Sequence, residues 1–210
     1  NYSIREKGEI YAYQDDTEII RAAKEYGALP LMPLTTLTPQ GVSDIELAYS
    51  ILLNEDYQDK LLTQFIEILK AKGYYGVNIF FNLLTEDNQR LYIDFTKRIS
   101  ERLRKEDILL FITINYRTRE INNKIEVEQV NYSELNNYVD EMTFIKFAWG
   151  TNYEPPGPVS NINNIKAVVD YVKTQVPADK IVIGKPTLGY DWQLPHIPNK
   201  NNASSLSLKS

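Results

Sequence analysis

Five short, nearly continuous apolar runs, centred near Leu31, Ile79, Phe111, Ile145 and Val182, alternate with stretches of helical periodicity. Apolar runs of this length suit strands covered on both faces, and such strands separated by amphipathic helices form parallel β/α units. The helical stripes are Ile19, Ala23 and Tyr26 before the first strand, and Leu61, Phe65, Ile68 and Leu69 before the second. They continue with Leu91, Phe95, Ile99 and Leu103 before the third, and Ile162, Ile165, Val169 and Val172 before the last. Gly27 and Gly73 stand where the first two helices should end. Two closures satisfy this rhythm, a doubly wound open sheet and an arc of a (β/α)8 barrel. Both place a ligand site in the loops that follow the strands.

Composition narrows the chemistry. With 43% hydrophobic and 24% charged residues, the 210-residue chain has the make-up of a globular core rather than of a disordered segment. Its net charge of -5, with basic residues scattered, argues against nucleic acid as a partner. The absence of cysteine removes thiolate nucleophiles and Cys-based zinc sites, and His196, the single histidine, makes neither a clustered metal site nor a convincing triad. Without a Gly-x-Gly-x-x-Gly, a Walker loop or a Gly-x-Ser-x-Gly elbow, the expectation is no metal and no cofactor. No apolar run approaches the roughly 18 residues of a membrane span, and no targeting segment is expected in this chain.

The individual words are more informative. "GYYGVNIFFN" resembles the fourth-strand signature of glycoside hydrolase family 18, Asp-Gly-x-Asp-x-Asp-x-Glu. "ALPLMPLTTL", "ILLNEDYQDKLLTQFIEILKAKGYYGVNI", "YVDEMTF", "PPGPVSNINNIKAVVDYV" and "KIVIGKPTLGYDWQLP" are similar, in order, to the family's bacterial spore-cortex and cell-wall branch. The resemblance implies an α/β fold of the (β/α)8 TIM barrel type, only partly represented. The visible strands would be strands three to seven, with the first two and the last absent or partial. Residues 1–195 would form the barrel domain and 196–210 a tail or the start of an interrupted segment. The implied setting is the cell envelope, the spore or the exterior of a bacterium.

Carried over by position, the signature departs from the family throughout. Its first aspartate falls on Tyr75, its glycine on Gly76, its second aspartate on Asn78, its third on Phe80, and the glutamate that serves as general acid on Asn82. In "MTFIKFAW", which resembles Met-Thr-Tyr-Asp, Phe144 stands for tyrosine and Ile145 for aspartate. The family is understood to protonate the leaving oxygen with that glutamic acid while the substrate's own acetamido group attacks. Asn82 has no carboxylic proton to give. General acid–base help is worth about 10²–10⁴ in rate, and with the orienting groups lost as well the expectation is a catalytically degenerate domain.

Such a domain is expected to bind N-acetylglucosamine-containing oligosaccharide or peptidoglycan through Asn82 together with Tyr190, Asp191 and Trp192, whose rings suit sugar faces. Tyr13, Tyr116 and Tyr153 are further candidates for the same mouth, whereas Trp149 reads as packing. The alternatives are an active glycosidase using displaced acids, for which Glu86, Asp87 and Glu154 are the candidates, and a structural or protein-interaction barrel. Glu86 and Asp87 read first as residues that cap or solvate the following helix.

Overall fold

The computed structural model of the chain describes residues 2–38, 42–146, 156–197 and 203–207. In chain order its elements are β1 (Tyr2–Arg5), β2 (Glu9–Ala12), α1 (Thr17–Glu25), β3 (Leu31–Thr35), α2 (Ile45–Leu52), α3 (Glu55–Lys72), β4 (Gly76–Phe80), α4 (Gln89–Arg104) and β5 (Leu109–Asn115). There follow β6 (Thr118–Ile121), β7 (Lys124–Val127), α5 (Tyr132–Leu135), β8 (Glu141–Ile145), α6 (Ile162–Val172), β9 (Ile181–Ile183), β10 (Leu188–Asp191) and β11 (Ser204–Ser207).

One sheet organises the molecule, with order β2-β1-β3-β4-β5-β8-β9. Every neighbouring pair from β1 to β9 is parallel, and β2 alone runs antiparallel, as a hairpin return on β1. The parallel strands lie side by side in the order in which the chain makes them. A doubly wound sheet would reverse that order at a switch point, so the topology is the singly wound one of a (β/α)8 barrel. The sheet extends one parallel strand further than the sequence reading did, because Tyr2–Arg5 lies beside β3.

The strands alternate between two environments, as side chains one residue apart must. Met32, Leu34, Val77, Ile79, Leu110, Ile112, Met142 and Phe144 are buried under the helices and form the main core with Leu61, Phe65, Leu69, Phe95, Ile99, Val168 and Val172. The inner face carries Thr35, Asn78, Phe80, Phe111, Thr113, Asn115, Thr143 and Ile145. Gly76 is required by close approach, since a Cβ there would stand 2.6 Å from the Leu109 carbonyl oxygen and 3.1 Å from the Phe111 ring.

Local signals set the helix ends. Asn54 caps α3 by accepting from the Tyr57 N–H at 3.0 Å, and Gly73 closes that helix in the left-handed region at φ 70°. Gly27, at φ 71°, follows α1 in the same way. The stripe expected on α1 is not its buried face: Ile19 is 70% and Tyr26 88% exposed, while Ile20 is buried. Asp16, just ahead of the helix, explains the rotation. Its carboxylate is buried and accepts hydrogen bonds from the Tyr2 and Tyr74 hydroxyls and from Lys72, which pins the start of α1 against β1 and the end of α3.

Two segments outside the alternating β/α units carry structure of their own. "TREINNKIEV" is the β6–β7 hairpin, turned by Asn122 and Asn123 with φ of 52° and 60°. The boundary drawn at 195 falls inside a second hairpin, in which Ser204–Ser207 pair with Leu188–Asp191. Among the described residues, no helix is long and apolar enough to cross a membrane.

Candidate functional site at the carboxyl end of the strands

Because the strands are parallel, Thr35, Phe80, Asn115 and Ile145 all finish at the same end of the sheet. Asn82 follows Phe80 by two residues at that end and is half-buried. Its Oδ1 accepts a hydrogen bond from Asn115 Nδ2 at 3.0 Å. Deeper on the same face, Asn78 Oδ1 accepts from Thr113 Oγ1 at 3.0 Å. The inner face of β4 and β5 therefore carries two neutral polar rungs, with Phe80 between them along β4. Phe80 is 7% exposed and stands apart from the main core. Ile145 lies beside Asn115 in register and against Gly184, where an added Cβ would meet Ile145 Cγ2 at 2.5 Å.

The other signature positions are not gathered here. Tyr75 precedes β4 at the opposite end of the sheet, 42% exposed, with its N–H donated to the Pro30 carbonyl at 2.8 Å. Phe144 is fully buried on the helix side, edge-on to Tyr132 with ring centroids 5.2 Å apart. Asn78, Phe80, Asn82 and Ile145 thus share a face, and Tyr75 and Phe144 do not. Tyr190 and Trp192 are half-buried neighbours with ring centroids 5.7 Å apart and planes tilted by 53°, while Asp191 between them is exposed.

Asn88 sets the loop after Asn82, and nothing in the sequence marked it. It is buried, accepts from the Thr85 N–H at 2.8 Å, and donates to the Leu83 carbonyl at 2.6 Å and the Tyr49 hydroxyl at 2.9 Å. This ring of bonds turns Glu86 and Asp87 outward. Both are exposed, and both line a cleft of about 430 Å³ with Arg117, Arg119 and Glu128 from the β6–β7 side. Tyr116 does not decorate the mouth: it is 4% exposed, burial pushes its phenol upward, and the Lys146 ammonium lies 5.7 Å from its ring centre. Tyr13 lines a separate cleft of about 450 Å³ beyond β1 and β3. Trp149, Tyr153 and Glu154 lie outside the described residues. Among the described residues, no three His, Cys, Asp or Glu side chains are grouped to hold a metal.

Among the described residues, the arrangement can donate and accept hydrogen bonds at neutral oxygens, and Asn82 at the mouth has no carboxylic proton to give. On the inner face of β4, β5 and β8 the single carboxylate is Glu141, which begins β8 at the far end.

Comparison with known proteins agrees with the strand order. The model of the family described as glycosyl hydrolases family 18 matches residues 41–207. YdhD of Bacillus subtilis strain 168, assigned by its name as a sporulation-specific glycosylase, is 28% identical over 197 residues, covering 94% of this chain and 46% of that protein. Its crystal structure superposes with a TM-score of 0.85 at 27% identity, covering 100% of this chain and 69% of that one. The cortical fragment-lytic enzyme of Bacillus subtilis is 27% identical over 177 residues, covering 84% of this chain and 41% of the enzyme. The chain spans about half the length of these curated relatives.

Proposed function

Because the chain belongs to glycosyl hydrolase family 18, we propose that it binds N-acetylglucosamine-containing glycan of the bacterial cell wall or spore cortex and does not hydrolyse it. The observation that carries this reading is the Asn82–Asn115 amide pair, where the family resemblance calls for the general acid. An amide recognises hydroxyl, glycosidic or acetamido oxygens, but it has no carboxylic proton to deliver to a leaving group. Phe80 and Ile145, on the same face, add no charge to replace the aspartates that would orient the acetamido group.

Tyr190 and Trp192 supply the apolar surface that a sugar face needs, and the tilt between their rings leaves them as two separate platforms. The relatives' names refer to sporulation and cortical fragments, which supports a role at the spore or cell envelope. Calorimetry with N-acetylglucosamine oligomers and peptidoglycan fragments tests the reading. Trp192→Ala and Tyr190→Ala should each weaken binding, by about tenfold for the ring that carries the main contact. Unchanged affinity in both variants would remove the aromatic pair from the site.

A further inference from the structure

We propose that Asn115 is a positioning residue that turns the Asn82 amide so that its Nδ2 faces the ligand, making the mouth a fixed donor for a neutral acceptor oxygen of the glycan. The inference rests on the reading that this mouth binds glycan. A planar amide has its oxygen on one side and its NH2 on the other. Asn115 Nδ2 donates to Asn82 Oδ1 at 3.0 Å, so the oxygen is turned towards β5 and the NH2 away from it. Among the described residues nothing accepts a hydrogen bond from Asn82 Nδ2, and the side chain is half-buried rather than lost in the core. Reversing the Asn82 amide would set its NH2 against the Asn115 NH2, two donors facing each other, which costs the hydrogen bond and leaves both groups poorly satisfied.

The same arrangement recurs deeper on the sheet, where Thr113 Oγ1 donates to Asn78 Oδ1 at 3.0 Å. In both rungs β5 supplies the donor, and an asparagine on β4 or just past its end accepts with its amide oxygen. A glutamic acid in the place of Asn82 would donate only while protonated. The asparagine donates at every pH, and it selects for glycosidic, hydroxyl or acetamido carbonyl oxygens.

Asn82→Asp tests this with almost no change of shape. The variant keeps an acceptor towards Asn115 and replaces only the outward donor by a carboxylate oxygen. With the N-acetylglucosamine tetramer as probe, affinity at pH 7 should fall by about tenfold or more, and it should recover as the pH drops below about 4, where the carboxyl holds a proton and donates again. Asn115→Asp should act in the same direction, because its carboxylate accepts from Asn82 Nδ2 and turns the Asn82 oxygen outward until acid restores a donor. Among the described residues, the charged and titratable groups near this end include Glu86 and Asp87 before α4, Tyr116 and Arg117 after β5, Arg119 on β6, Glu128 after β7, Lys146 after β8 and Lys185 after β9. They are common to all three proteins, so the diagnostic is a pH dependence present in the variants and absent from the wild type. Wild-type affinity at pH 7 in Asn82→Asp, or in Asn115→Asp, would overturn the proposal.

Absence of tetramer binding by the wild type would instead sink the glycan reading on which the proposal stands. A ligand-free measurement separates the two. In the side-chain amide spectrum of the wild type, the Asn115 NH2 protons should exchange with solvent more slowly than those of Asn82, and the reverse order would overturn the orientation whether or not glycan binds.

Discussion

Asn88 and Asp16 carry much of the molecule's polar organisation, one at each end of the sheet. Asn88→Ala would leave the Leu83 carbonyl and the Thr85 N–H without their partner and should cost about 1–3 kcal/mol, read as a lower denaturation midpoint. Tyr49→Phe, which removes only the hydroxyl that Asn88 reaches, should cost less. At the other end, burial raises the Asp16 carboxyl, but the hydrogen bonds from Lys72, Tyr2 and Tyr74 outweigh it and hold the group at about 2, against an ordinary value of 3.8. A carboxyl with a lower pKa in the folded than in the unfolded state stabilises the fold fully above about pH 4, and the contribution disappears as the pH falls towards 2. Asp16→Asn should therefore destabilise the protein at pH 7 by about 2–3 kcal/mol, less than a fully buried pair because Lys72 keeps access to water, and the gap from wild type should close between pH 4 and pH 2. A gap that stays constant in urea melts over that range would contradict the assignment. At the mouth, only the position of Asn82, two residues past the end of β4, was legible in the sequence, from the strand signature it resembles. Thr113 and Asn115 left only the alternation of "FITIN", and Asn88 left nothing, because their roles depend on partners on other elements.

At the scale of elements, what was legible followed the strength of the local period. The helix over 89–104 buries Phe95, Ile99 and Leu103 as its stripe requires, and Gly73 ends α3 as a left-handed cap. The stripe on α1 misled because Asp16 fixes the turn of the helix from outside it, so a half-buried ion pair overrides an apolar period of only three residues. The β6–β7 hairpin was missed although its signal was present: two adjacent asparagines, able to take positive φ, stand between alternating strands. Two glycines separate crowding from backbone conformation. Gly76→Ala drives a methyl into the Leu109 carbonyl and should cost about 1–3 kcal/mol. Gly27→Ala meets nothing within 4 Å and carries only the strain of φ 71°, about 1–2 kcal/mol at most. Denaturant midpoints check the order, and equal costs would mean that β4 and β5 relax apart without penalty.

For the whole molecule, the barrel reading gains its support from strand order rather than from closure. The sequence supplied alternation, which an open doubly wound sheet shares, and the parallel run β1-β3-β4-β5-β8-β9 decides between them. On the proposed reading, the fold and the chemistry part company at the mouth. Gly76 and the apolar strand cores keep the demands of the family architecture, whereas the positions that would carry acid catalysis hold neutral side chains. The most direct test of that separation is one incubation of the N-acetylglucosamine tetramer with excess protein, followed by calorimetric binding and by mass analysis of the sugar over days. The account predicts saturable binding with the tetramer recovered intact. Shorter oligomers that accumulate with time, and that vanish when Glu86 or Asp87 is changed to its amide, would contradict it.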